Sequence, residues 1–288
     1  MSLASRSMNV SLTQRIWQAR STDRALAQGV EAQTDAQNRT MKVMKQLAPS
    51  DYLLPIRRIA QLGRDQHERL TLPGVFKGTQ LLATKLFDEY VGIQGQIKDQ
   101  FQHEVRRFTN ELYPEIMKKA PELLGRAYRP TDYPTSEQIK NNFEYNIRMT
   151  PVPDSGNWLL EDVDTEDLNR LRNELDNDKN EMFREATKEL FARTEEILTK
   201  LAKQAKDFTD GPGSGPLLRE VTINSVKDMA VLVSSMNIVG DPTLDVVGKE
   251  MIEKFGDLDA GELRKSQELR NNVAALANSL LAKMKGAA

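Results

Sequence analysis

The sequence predicts a mainly α fold: an elongated helical bundle of long antiparallel helices with a small β-hairpin inserted near residues 143–160. Three observations predict it. Apolar residues recur at three- and four-residue steps over several long stretches, the spacing that lines one face of a helix. Aromatic residues make up only 6% of the 288 and charged residues 28%, which suits helices packed on narrow aliphatic seams with much solvated surface. A single stretch, residues 143–150, alternates apolar and polar types with the period of a strand.

The first helix is expected from about Ser11 to Leu47, a stretch with no proline and one glycine, Gly29. Steps of four and three from Leu12 pass through Ile16, Ala19, Asp23, Leu26, Val30, Gln33, Gln37, Thr40, Met44 and Leu47. Most of these positions are apolar and the centre is polar. That is a heptad seam in which polar residues exchange stability for register and partner number. Such a helix, about 50 Å long at 1.5 Å per residue, has two uses. It pairs with a second copy through Leu12, Ile16, Leu26, Val30, Met44 and Leu47, or it is one arm of an intramolecular hairpin. Residues 1–48 therefore read as a basic helical arm for oligomerisation or binding, ahead of a bundle domain over 49–288.

Pro49 and Pro55 interrupt the pattern, and a short helix is expected over 56–70. Leu72-Pro73-Gly74 marks a turn. A second long helix is expected over 79–113, with Leu82, Leu86, Ile93, Ile97, Phe101, Val105, Phe108 and Leu112 on one face. Gly92 and Gly95 weaken it locally and mark a kink or a close crossing. Pro114 and Pro121 punctuate short helices up to Tyr128. Phe143, Tyr145, Ile147 and Met149 alternate with polar residues in the expected strand, and 152–156 is a turn by composition. Residues 157–160 are the expected returning strand. A lone hairpin is marginal in water, so it must lie on helices or pair with another strand, such as 70–76.

Asp164 is placed to cap a helix over 165–208, whose expected partner is the helix of similar length at 79–113. The Gly/Pro-rich segment 210–216 reads as a flexible loop. Three helices follow: 217–239, one opened by Asp241-Pro242 and running to Phe255, and one capped by Asp259 and running to Lys285.

The net charge of −2 is an average over unlike regions. Residues 1–72 hold eleven Lys/Arg against six Asp/Glu, residues 161–181 hold three against nine, and residues 262–285 five against two. No cysteine is present, which excludes disulfides, thiolate zinc sites and a cysteine nucleophile. No apolar run is long enough to span a membrane, and no secretory h-region is visible. His67 and His103 are isolated and are expected at the surface.

The motifs Asp132-Tyr133-Pro134-Thr135-Ser136-Glu137 and Pro151-Val152-Pro153-Asp154-Ser155-Gly156, with Phe143 between them, carry a resemblance. It extends to Tyr113-Pro114-Glu115 upstream and to Asn237-Ile238-Val239-Gly240-Asp241-Pro242 downstream. These residues resemble a family of uncharacterised phage and bacterial proteins known only as a domain of unknown function. The resemblance covers about residues 55–285. It implies a mostly helical, non-enzymatic phage-type protein with no cofactor. Family members often sit near genes for MoxR-type AAA+ ATPases and von Willebrand A-domain proteins, which implies a place in a multiprotein assembly. The expected setting is cytoplasmic, the host cytoplasm if the chain is phage-encoded.

No catalytic constellation emerges. Gly213-Ser214-Gly215 follows a Gly/Pro loop where a nucleophile elbow needs a strand. Gly74 to Thr79, with Lys77, opens a helix and offers either an anion site or an ordinary turn and cap. Asp162, Asp164 and Asp167 are oxygen ligands that could bind Mg²⁺ at a helix start, where capping already explains two of them, and Asp176, Asp178 and Glu181 lack calcium-loop spacing. Two functions remain open. One is a non-enzymatic assembly protein that oligomerises through the N-terminal helix and docks a AAA+ ATPase or A-domain partner. The other is a single-stranded DNA binder acting in phage replication or transcription, using Arg15, Trp17, Arg20, Arg24, Arg57 and Arg58 as a basic track with a stacking aromatic.

Overall fold

The structure, a computed structural model, describes residues 3–74, 76–154, 164–208 and 218–286. In chain order its elements are β1 (Ser7–Arg15), β2 (Arg20–Thr22), α1 (Arg24–Gln33), β3 (Met44–Gln46), α2 (Leu54–Leu70), β4 (Leu72–Pro73), β5 (Gln80–Ala83), α3 (Phe87–Arg107), α4 (Tyr113–Leu124), α5 (Ser136–Lys140) and β6 (Glu144–Pro151). The remainder is helical: α6 (Thr165–Asp207), α7 (Glu220–Met236), α8 (Pro242–Phe255), α9 (Ala260–Lys265) and α10 (Gln267–Lys285). The fold is mainly α with a small antiparallel sheet. Among the described residues no helix is long and apolar enough to cross a membrane.

The chain divides into two compact units. The first comprises residues 1–11, 70–88 and 149–288, and the second residues 12–69 and 89–148. The division does not fall after residue 48, since 12–69 lie together.

The largest correction concerns the N-terminus. Residues 12–47 do not form one helix. They pass through a strand, a two-stranded sheet and a ten-residue helix. The heptad seam is dispersed: Leu12 and Ile16 pack on the core of the second unit and Leu47 is inside it, while Leu26, Val30 and Met44 are exposed. Three left-handed residues break the run, Ala19, Asp35 and Arg39, with φ of 53°, 52° and 67°. None is glycine, so the breaks carry no glycine or proline signal.

In the first unit, β1 pairs with β5 antiparallel from Ser7↔Ala83 to Val10↔Gln80, and β5 pairs with β4. The four-stranded sheet has the order β4-β5-β1-β6. The expected strand 143–150 is thus β6, and its sheet neighbour among the described residues is β1; the expected returning strand 157–160 lies outside the described residues. Loop 210–216 lies outside them as well. Helix α6 packs on α10, α7 and β4 of its own unit. Its buried stripe is aliphatic at helical spacing, with Met182, Ala186, Leu190, Leu198, Leu201 and Ala205. Asp164 occupies the N-cap position without a side-chain cap bond, whereas Asp241 and Asp259 cap α8 and α9 as their sequence context predicts. The last expected helix is split at Ser266, whose hydroxyl caps α10.

The second unit has a different interior. Trp17, Phe101, Phe108, Tyr113, Tyr133 and Tyr145 fill its core with Leu53, Ile56, Ile116 and Ile139. Trp17 meets Tyr113 edge-on, with ring centroids 5.5 Å apart, and lies 6.0 Å from Phe108. Between α3 and α4, residues Phe108–Leu112 widen into a π-helical turn, in which the Tyr113 N–H reaches back to Phe108 O. Pro114 accounts for this: it has no N–H for the carbonyl four residues back, and its ring crowds that carbonyl, so the widened turn relieves the clash. Gly92 and Gly95 have open space where a Cβ would stand, so neither marks a close crossing. Gly63 does: a Cβ there would meet the Tyr145 hydroxyl at 2.2 Å.

The motif stretches 113–115, 132–137 and 237–242 behind the family resemblance form structural corners, while Ser155 and Gly156 lie outside the described residues. Tyr113 donates its hydroxyl to Pro134 O at 2.6 Å, and Tyr133 donates to Leu47 O at 3.1 Å. Thr135 and Gln138 make a reciprocal capping box for α5. Asn237 receives the Asp241 N–H on Oδ1 and donates Nδ2 to Asp241 O, both at 2.8 Å, closing the α7–α8 corner.

Candidate functional site

The feature best shaped to receive a ligand is a groove of about 660 Å³ in the first unit. One wall is α6, where Asn180, Arg184, Thr187, Lys188, Phe191 and Glu195 fall at helical spacing along one face, with Phe183 beside them. The other wall is Val239, presented by the α7–α8 corner, with Met284 and Lys285 at the end of α10. Gly240, at φ 74°, follows Val239 and lets the chain turn back into α8. Phe183 and Met284 are buried in the floor, Phe191 is half-buried, and Val239 is 41% exposed. The volume is within the range of ordinary binding pockets.

The rim is charged and mostly positive. Lys188 pairs with Glu185 at 3.7 Å and Lys285 with Glu195 at 3.9 Å, with all four side chains more than half exposed. Such pairs contribute little in water. Arg184 makes no ion pair or side-chain hydrogen bond among the described residues. The arrangement can bury apolar side chains and meet carboxylates at the edge.

A second groove, of about 630 Å³, flanks the same helix and has the opposite character. It is lined by Asp178, Glu181, Glu185 and Glu189 of α6, with Lys188 and the Pro73-Gly74 turn. The segment 74–79, read from sequence as an anion site or a turn, is the turn joining β4 to β5. Three of its amides are engaged: Gly74 donates to Thr79 O, Phe76 to Thr79 Oγ1 and Thr79 to Phe76 O. With acidic residues across from it, an anion is disfavoured there.

Two buried polar clusters lie in the second unit. Lys45 is 6% exposed and donates to Ala127 O at 3.0 Å, with Asp23 at 2.9 Å and Asp132 beside it. Burial alone would lower the Lys45 pKa, but hydrogen bonds to Asp132 and Asp23 outweigh it and hold the ammonium charged. Asp23 is held below the usual carboxylate range, first by the Leu26 N–H it receives as the α1 cap and then by Lys45. The second cluster centres on His67, which is buried, contrary to the sequence expectation. Its Nδ1 lies 2.7 Å from the Tyr90 hydroxyl, and burial depresses its pKa to about 4. Nearby, Tyr145 donates to Gln94, Gln94 donates to Gly63 O at 3.0 Å, and Gln14 donates to Ala60 O at 3.0 Å. Burial raises the Tyr145 pKa to about 12. The first cluster ties irregular backbone to α1, and the second joins α2 to α3 and to strands β1 and β6; no described groove opens onto either.

The basic residues picked from sequence are dispersed in role. Trp17 is buried on Phe108 and Tyr113, so its ring is not free to stack on a base. Arg15 donates to Asn141 O at 2.8 Å and faces Glu144 at 3.5 Å, and Arg24 pairs with Glu31. Arg20 and Arg58 are exposed and Arg57 is half-buried. Asp162, from the possible Mg²⁺ cluster, lies outside the described residues, and Asp167 pairs with Arg170 at 3.0 Å. Among the described residues no group of His, Asp or Glu is arranged to hold a metal.

Comparison with family models, with curated proteins and with solved structures finds no match. The groove stands on its geometry alone. Sequence reasoning placed Phe183 to Glu195 on one helix but missed the groove, because its second wall comes from residues 239 and 284–285. The legible signal was Phe191 among the cations Arg184 and Lys188, off the main aliphatic stripe.

Proposed function

We propose that the chain is a non-enzymatic helical interaction protein that docks a helical segment of a protein partner in the α6 groove. The observation that carries this reading is the pairing of an aromatic and aliphatic floor with an exposed rim on one long helix. Amphipathic helices bind proteins by laying an apolar face into such a trough. The buried titratable groups described above lie apart from the groove, Lys45 and Asp23 bonded to backbone and His67 and Tyr145 to other side chains. The resemblance adds the expectation that the partner belongs to an assembly containing a AAA+ ATPase or a von Willebrand A-domain protein. Single-stranded DNA binding has less support, because its one proposed stacking residue, Trp17, belongs to a core. Self-association through a seam over 12–47 has no continuous helix to act through.

The test is fluorescence anisotropy with designed amphipathic helical peptides of about 16 residues, long enough to follow the groove at 1.5 Å per residue. The set carries one leucine face and acidic, neutral or basic flanks. At least one member is expected to bind the full chain saturably, and Phe191→Asp is expected to abolish that binding while leaving the helical circular dichroism intact. Absence of saturable binding by every peptide overturns the reading, as does binding that Phe191→Asp leaves unchanged.

A further inference from the structure

We infer that the docked segment is an acidic amphipathic helix; the inference rests on the docking function proposed above. Length is the first argument. The α6 wall runs from Asn180 to Glu195, a rise of about 22 Å. A compact organic ligand would use one end of such a trough, whereas a helix of about four turns occupies all of it.

Charge is the second argument. The rim carries Arg184, Lys188 and Lys285 against a single carboxylate, Glu195. The ion pairs that Lys188 and Lys285 make are long and solvated, so a partner's carboxylates can replace them without desolvating a buried ion. Arg184 has no such pair to give up and can present its planar fork to a carboxylate.

Sorting is the third. The other side of α6 gathers Asp178, Glu181, Glu185 and Glu189 along its own groove. Apart from Glu195 in the first groove and Lys188, which lines both, the α6 charges along the two grooves are sorted by sign. Here the apolar floor is paired with cations, and the acidic side lacks a comparable aromatic floor. A basic helix would be repelled from the apolar groove, and an acidic one steered toward it.

The experiment compares three peptides with identical leucine faces and flanks of glutamate, glutamine or lysine, binding to the full chain at low salt. The glutamate peptide is expected to bind about tenfold or more tightly than the glutamine peptide, and the lysine peptide more weakly than either. The advantage should shrink toward unity at high salt. The combined variant Arg184→Gln, Lys188→Gln and Lys285→Gln should lose the advantage, the glutamate and glutamine peptides binding that variant alike. Equal binding of the glutamate and glutamine peptides, or a preference for lysine, overturns the acidic partner and leaves docking standing. Failure of all three peptides overturns docking itself.

Discussion

The unit formed by residues 12–69 and 89–148 is held by aromatic rings and side-chain hydrogen bonds to backbone, whereas the helices of the other unit are held by aliphatic stripes. The reason lies in the backbone. Helices α6, α7, α8 and α10 satisfy most of their own N–H and C=O groups, so their side chains need only supply apolar packing. The second unit is built from short strands, left-handed residues and a π turn, which leave carbonyls without ladder partners. Lys45, Tyr113 and Tyr133 supply missing donors. The α6 groove belongs to the regular unit, where a long helical wall is available.

The sharpest way to break this comparison is to remove one ring and one aliphatic side chain. Phe108→Ala should cost about 4 kcal/mol and Leu198→Ala about 3 kcal/mol. Hydrogen exchange should then show loss of protection in residues 12–69 and 89–148 for the first variant, and in α6, α7 and α10 for the second. Equal loss throughout the chain for both would show that the two units do not act separately. Next in size is Lys45→Met, which takes the buried cation from Asp23 and Asp132 and leaves only the exposed Arg129 near Asp23, at about 3 kcal/mol. Adding Asp23→Asn and Asp132→Asn should recover most of that loss in urea titrations.

Acid gives a smaller, reversible test. His67 is held near a pKa of about 4 in the folded chain, against 6.5 when unfolded, so unfolding takes up a proton between those values. Its contribution is complete above pH 6.5 and is lost as the pH falls toward 4, up to about 3 kcal/mol. His67→Gln, which keeps an acceptor for Tyr90, should flatten the slope of stability against pH over that window. The smallest expected effect is at Ala19, whose φ of 53° strains an L-residue. Ala19→Gly should stabilise by about 0.5 kcal/mol, the relief of strain exceeding the added chain entropy.

The same contrast governs how much could be read from sequence. Helices α6, α7 and α8 were legible because leucine, valine and methionine recur at helical steps and Asp241-Pro242 announces a helix start. The strand β6 was legible from the alternation of Phe143, Tyr145, Ile147 and Met149. The N-terminal region was not, because a four-three stepping from Leu12 happens to collect apolar residues that serve different elements. An earlier alternation, Met8, Val10 and Leu12 against Asn9, Ser11 and Thr13, was the true signal of β1. The scarcity of aromatics was also misleading as an average, since six of them gather in one core. The groove was hidden because proximity of Val239 and Met284 to Phe191 is a tertiary fact.

The most direct test of the account is hydrogen exchange of the full chain with and without a saturating glutamate-flanked helical peptide. Added protection is expected over residues 180–195 and at the end of α10, with residues 12–69 unchanged. Protection confined to residues 12–69, or none anywhere at saturation, would contradict docking in the α6 groove.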